Sequence, residues 1–155
     1  MPEVSTTFDR VLDQHATLRG MVAELRAYLK NPRPALESEE CATWAQCLAE
    51  RLTLLHGKVL GHFREEERSG FLDDLQDKHP RATHAIESLR RDHDRILAEF
   101  RAILSAVMVY SEGHQPANPQ IRTCVRALLE QLTNHEQEET ELFQGLQYQE
   151  LGEGD

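Results

Sequence analysis

Apolar residues recur at alternating spacings of three and four along four long stretches of this 155-residue chain. That period commits each stretch to an amphipathic helix with one inward face. The first face runs Phe8, Val11, His15, Leu18, Val22, Leu25 and Leu29, and the second Ala45, Leu48, Leu52, Leu55, Val59, His62 and Glu66. The third reads Ile86, Leu89, His93, Ile96, Phe100, Ile103, Val107 and Tyr110, and the fourth Ile121, Val125, Leu128, Leu132, His135, Glu139, Leu142 and Leu146. Four such faces with short connections predict an all-α fold, an up-down-up-down antiparallel four-helix bundle. Every face is interrupted by a histidine, and two of them by a following glutamate, groups that are costly to bury alone.

Punctuation sets the limits. Thr6 or Thr7 caps a first helix over about residues 7–30, ended by Pro32 and Pro34. Ser38 opens a second over about 38–69, closed at Ser69 and Gly70, and "FLDDLQDKH" reads as a short connection. Pro80 takes a first-turn position in a third helix over about 80–112, stopped by Gly113. Asn118 and Pro119 begin a fourth over about 118–148, followed by an acidic tail expected to fray. The length, residues 1–155, suits one domain with a substantial core.

With helices alternating in direction, the start of the first, the end of the second, the start of the third and the end of the fourth share one end of the bundle. At about 1.5 Å per residue, His15 and His62 lie roughly 10–12 Å in from that end, and His93 and His135 roughly 20 Å. Within the error of the boundaries, four histidines and two glutamates converge on one level of the core. The spacing of four in His62-x-x-x-Glu66 and His135-x-x-x-Glu139 stacks imidazole and carboxylate on one helix face. Two buried carboxylates facing each other need positive charge between them. A mixed nitrogen and oxygen donor set suits a pair of iron or manganese ions, and the lack of thiolates argues against a closed zinc site. A lone core histidine is ordinarily just hydrogen-bonded, and the doublets Glu65-Glu66 and Glu138-Glu139 would ordinarily be solvated surface. Four helices in matching register are not accounted for in that way.

Composition removes other classes. A formal net charge of -10 is the wrong sign for nucleic acid or an anionic membrane, both of which require a basic surface. No apolar run approaches the roughly 18 residues of a membrane span, and "MPEVSTTFDR" lacks a signal peptide's basic start and apolar stretch. The expected location is the cytoplasm. Cys41, Cys47 and Cys124, odd in number and without a CxxC, read as free thiols, with Cys124 a small packing residue beside an inward face.

The ordered set "DQHATLRG", "HFREEE", "RRDHDRI" and "HEQEETELF" resembles the hemerythrin-like, or HHE cation-binding, domain over nearly the whole chain. Ferritin-like bundles use Glu-x-x-His instead, and no histidine here has a glutamate three residues before it. The resemblance implies two iron ions with an oxo or hydroxo bridge, manganese being the alternative metal. It assigns His15 and His62 to one ion and His93 and His135 to the other, with Glu66 and Glu139 bridging. Oxygen-carrying hemerythrins have a further histidine one turn before the third-helix ligand, where this chain has Leu89. Glu65 and Glu138 are candidates to complete the ligand sphere, and His56 flanks the face as an outer or surface group. His84, His79 and His114 read as solvated. Leu12, Phe63, Ile96 and Leu132 are expected to form an apolar shell, and Gly57 and Gly61 either admit a close helix, leave a small gap, or are tolerated on the surface.

Three functions follow from this site. The first is binding of dioxygen for storage, delivery or sensing; the second is an enzyme consuming peroxide, oxygen or nitric oxide; the third is an iron- or oxygen-responsive interaction with a protein partner, whose identity the sequence does not reveal. A missing histidine leaves coordination positions for dioxygen or peroxide.

Overall fold

The computed structural model describes residues 2–30, 39–111 and 120–153, and all of its elements are helical. Helix α1 spans Pro2–Lys30, α2 Glu39–Arg68, α3 Phe71–Lys78, α4 Thr83–Ser111 and α5 Ile121–Glu153, with a 3-10 turn at Pro80–Ala82. Predicted boundary residues Pro32, Pro34, Ser38, Gly113, Asn118 and Pro119, and also His114, lie outside the described residues.

The four long helices pack in a ring: α1 on α2 and α5, and α4 on α2 and α5. Each predicted face is the buried one. All seven positions named for α1 and all seven for α2 are buried, as are those of α4 up to Val107; the side chain of Tyr110 is not among those described. On α5 only Leu142 is half-buried, its place taken by Phe143. Trp44, Ala49 and Leu129 are buried beside the predicted faces, because a helix enclosed by two neighbours hides a wider stripe than a single seam.

Several limits differ from the sequence reading. Helix α1 begins at Pro2 rather than at a Thr6 or Thr7 cap, consistent with the tolerance for proline in a first turn. Helix α5 runs through the predicted tail to Glu153, where glutamine, glutamate and leucine favour helix. The "FLDDLQDKH" segment is not a plain connection: Phe71–Lys78 is a helix that buries Phe71, Leu72 and Leu75. Pro80 opens the 3-10 turn, and the α-helix starts only at Thr83. Cys124 is exposed rather than packed, and Cys47 is half-buried.

Apolar packing falls into two clusters. The larger gathers Leu18, Val22, Leu52, Val59, Phe63, Ile96, Phe100, Leu128 and Leu132 with their neighbours. The smaller joins Phe8, Val11, Leu89, Phe143 and Leu146 to Phe71, Leu72 and Leu75 of α3, with Phe71 edge-on to Phe143 at 5.2 Å. The level between them carries the buried polar residues.

Gly70 joins α2 to α3 at φ 80°, a left-handed conformation natural to glycine. Gly57 and Gly61 do not receive a neighbouring helix: a Cβ at either would meet nothing within 4 Å. Opposite outcomes are expected from the same change. Gly70→Ala should cost about 1 kcal/mol through strain, whereas Gly61→Ala should stabilise by about 0.5–1 kcal/mol by limiting the unfolded chain. Urea unfolding of the two variants checks the sign.

Candidate metal centre

His15, His62, Glu66, His93, His135 and Glu139 are all buried, with both glutamates fully hidden from solvent. Each comes from the interior stripe of a different turn of α1, α2, α4 or α5, and the helices bring them to one level. His15, His62, Glu66 and Glu139 present one atom each within 4.8 Å of one another, and so do His93, His135 and Glu139. In every imidazole the Nε2 atom faces this cluster.

Each carboxylate offers one oxygen to either histidine pair. Glu66 Oε1 contacts His62 Nε2, while its Oε2 lies 3.4 Å from His93 Nε2. Glu139 Oε1 contacts His135 Nε2 and stands 3.2 Å from His93 Nε2. Its Oε2 lies 3.4 Å from His15 Nε2 and 3.8 Å from His62 Nε2. Yet both oxygens of Glu66, Oε2 of Glu139 and Nε2 of His135 are buried without a hydrogen-bond partner.

That arrangement fits a metal site. His15 Nε2 and His62 Nε2 are 3.1 Å apart, and two nitrogens each about 2.1 Å from one ion at tetrahedral to right angles would sit about 3.0–3.4 Å apart. Electrostatics point the same way. Burial, then the Glu139 carboxylate, pushes the Glu66 carboxyl well above the usual range. For Glu139, burial opposes ionisation, but the imidazoles of His135, His15, His62 and His93 draw its carboxyl well below the usual value. Burial also opposes charge on His93, which Glu139 and Glu66 nevertheless raise.

Two of the four outward nitrogens are hydrogen-bonded. His15 Nδ1 is 2.8 Å from Thr140 Oγ1, and His62 Nδ1 is 2.6 Å from Gln14 Oε1. His93 Nδ1 and His135 Nδ1 have no hydrogen-bond partner among the described residues; the carboxylates of Glu67 and Asp92 lie beside them at ion-pair distance, 3.6 and 3.5 Å. At His62 the acceptor Gln14 Oε1 holds the proton on Nδ1 and leaves Nε2 its lone pair, as metal-binding histidines require.

Among the other candidates, Glu65 is drawn aside. It accepts from Gln14 Nε2 at 2.6 Å and pairs with Arg10 at 2.7 Å, so it reaches His62 only through Gln14. Glu138 is exposed, a correction to its candidacy, because one residue along a helix rotates the side chain about 100° from the Glu139 direction. His56 is half-buried against Phe100 at 5.4 Å, away from the cluster, and burial then Arg101 lower its pKa. His84 is exposed, and His79 is half-buried at the α3 terminus. Leu89 is buried in the smaller apolar cluster. Of the expected apolar shell, Phe63, Ile96 and Leu132 are buried and Leu12 is half-buried.

Sequence reasoning missed Gln14, Glu67, Asp92 and Thr140, each adjacent in sequence to a cluster residue, and also Glu136. Glu136 is buried, with Oε1 unpartnered, and burial pushes its carboxyl up to about 7. Its place three residues before Glu139, on nearly the same face, was the available signal. A groove of about 460 Å³ between α1 and α2, bordered by Gly57, Gly61, Gln14 and Glu65, reaches His62. Glu138→Ala should leave metal content and stability unchanged within about 0.5 kcal/mol, as expected for an exposed position, by metal counting and urea unfolding.

A helical protein with a buried histidine and glutamate set that fits a metal site is the class these observations define. The family model of the Hemerythrin HHE cation binding domain matches residues 6–146, and the chain belongs to that family. Searches of curated proteins and of solved structures found no match. None of the described helices is long and apolar enough to cross a membrane.

Proposed function

We propose that this chain is a cytoplasmic, single-domain, non-heme di-iron protein that binds dioxygen, for storage, delivery or sensing. The observation that carries the reading is the division of each glutamate between the two histidine pairs: Glu139 turns Oε2 to His15 and His62 and Oε1 to His93 and His135, and Glu66 turns Oε1 to His62 and Oε2 to His93. In this reading those two pairs hold one ion each and Glu66 and Glu139 join them. The up-down-up-down topology belongs to the same reading. It is supported by contacts between opposed ends: Gln14 meets His62 while Tyr28 meets Trp44, and His15 meets Thr140 while Arg26 meets Thr133.

When bound, two ferrous ions would supply the electrons and open coordination positions with which dioxygen is taken up. The residues of the chain do the rest. Two carboxylates would offset half the charge of a ferrous pair while four neutral imidazoles donate lone pairs, and ligation adds to folding stability. Phe63 stacks on His93 at 3.9 Å and meets His135 edge-on at 5.3 Å, keeping water from that side and fixing both rings. The family name's cation-binding function supports a metal, and the donor set of nitrogen and oxygen without sulfur supports iron or manganese.

A second reading, an enzyme that decomposes peroxide, draws on the buried Glu136 beside the cluster, an ionisable group that a simple carrier does not need. One series separates the two. The protein is purified without oxygen, its metal counted, and dioxygen then peroxide added under optical observation. A visible band that appears in air and vanishes under vacuum supports carriage. Irreversible oxidation with turnover of hydrogen peroxide supports the enzyme, and absence of bound metal removes both.

A further inference from the structure

The two halves of the cluster repeat each other. On α1 and α4 a single histidine is preceded by a polar residue, Gln14-His15 and Asp92-His93; on α2 and α5 the bridging glutamate is followed by one, Glu66-Glu67 and Glu139-Thr140. These four neighbours stand behind the outward nitrogens, Gln14 and Thr140 at hydrogen-bond distance and Asp92 and Glu67 at ion-pair distance, 3.5 and 3.6 Å. Gln14 serves His62 and Asp92 serves His135, each within its own half. Thr140 serves His15 and Glu67 serves His93, each across to the other half. Position for position the roles correspond, but the charges do not. His15 and His62 are backed by a hydroxyl and an amide, His93 and His135 by two carboxylates.

The orientations are themselves secured. Arg95 holds Asp92 Oδ1 at 2.7 Å, which leaves Oδ2 for His135. Gln14 donates to Glu65, which Arg10 holds, so its amide oxygen must face His62. A carboxylate behind an imidazole makes it a more basic ligand than an amide or hydroxyl does, and stabilises greater positive charge on the ion. The residue after each paired histidine sharpens the contrast. Phe63 follows His62 and covers His93, whereas Glu136 follows His135 and has one oxygen unpartnered.

We propose that Asp92 and Glu67 make the His93–His135 position the tighter of two unequal metal positions, and that Gln14 and Thr140 leave the His15–His62 position the weaker, exchangeable one. The proposal rests on the di-metal reading above. Asp92, Glu67, Gln14 and Thr140 are positioning residues, acting through the histidines.

Ferrous ion titrated under argon into the metal-free full chain, followed by calorimetry, tests it. The parent should take up two ions in two steps. In Asp92→Asn/Glu67→Gln the first step should weaken by about 10–100-fold. In Gln14→Leu/Thr140→Val the first step should stay unchanged and only the second should move. Shared carboxylates alone would also produce two steps, but with equal positions the first ion would simply choose the unaltered side. The first step would then fall by no more than about twofold in either double variant, since the measured constants belong to the pair. That result, or weakening of the first step by Gln14→Leu/Thr140→Val, overturns the proposal while two ions still bind. Uptake of fewer than two ions by the parent overturns the di-metal reading instead. Far-UV circular dichroism of each variant confirms that its helices are retained.

Discussion

On the proposed di-metal reading, the Glu139→Ala chain should hold well under one metal ion against about two in the parent, because one carboxylate reaches both histidine pairs. Glu139 reaches the imidazoles of His15, His62, His93 and His135 with its two oxygens, and no other residue among those described does so. Its removal leaves four buried imidazoles with only Glu66 to face. The metal-dependent gain in melting temperature should vanish with the metal, since an ion that binds only the folded chain stabilises by mass action. Glu66→Ala should be less severe, as Glu66 contacts one histidine of each pair. Metal counting after dialysis, with thermal unfolding at and without added iron, gives both readings. Retention of about two ions in Glu139→Ala would rule out a shared carboxylate.

Phe63→Ala should destabilise the metal-free chain by about 3–5 kcal/mol, the range for a large aromatic removed from a core. Phe63 is 1% exposed and lies in the larger apolar cluster while touching three of the four histidines: His62 at 5.8 Å, His93 at 3.9 Å and His135 at 5.3 Å between ring centroids. Its loss opens a cavity beside polar groups, so water can enter to reach them. At a urea slope of about 2 kcal/mol per M the midpoint should fall by roughly 1.5–2.5 M. Phe63→Leu should recover more than half of this, since it refills volume but not the stack on His93. A loss under about 1 kcal/mol in the alanine variant would mean the ring is not packed between apolar core and histidines. Measuring the metal-free protein separates this packing effect from the loss of metal expected at Glu139.

Much of the arrangement was legible in one dimension. Period sufficed for the inward faces of four helices because a helix must turn one stripe toward its neighbours. Depth along each helix, at a fixed rise per residue, sufficed to bring His15, His62, His93 and His135 to one level. Short elements were less legible. Eight residues at Phe71–Lys78 hold too few turns for a period, so a helix read as a connection. Flanking positions failed for a related reason. Cys124 and Glu136 both sit beside an inward face, but one is exposed and the other buried. Which of them is covered depends on the neighbouring helix, not on their own.

The sequence by itself determined which residues turn inward and at what height, because helical pitch is a local property of the backbone. It thereby selected six polar groups whose shared burial calls for cations. Only the tertiary structure decided how those groups divide: which oxygen of Glu66 and Glu139 serves which histidine pair, and that Gln14 and Thr140 stand behind one pair while Glu67 and Asp92 stand behind the other. Such pairings depend on the rotation and spacing of helices that pack from distant parts of the chain, and no local period encodes them.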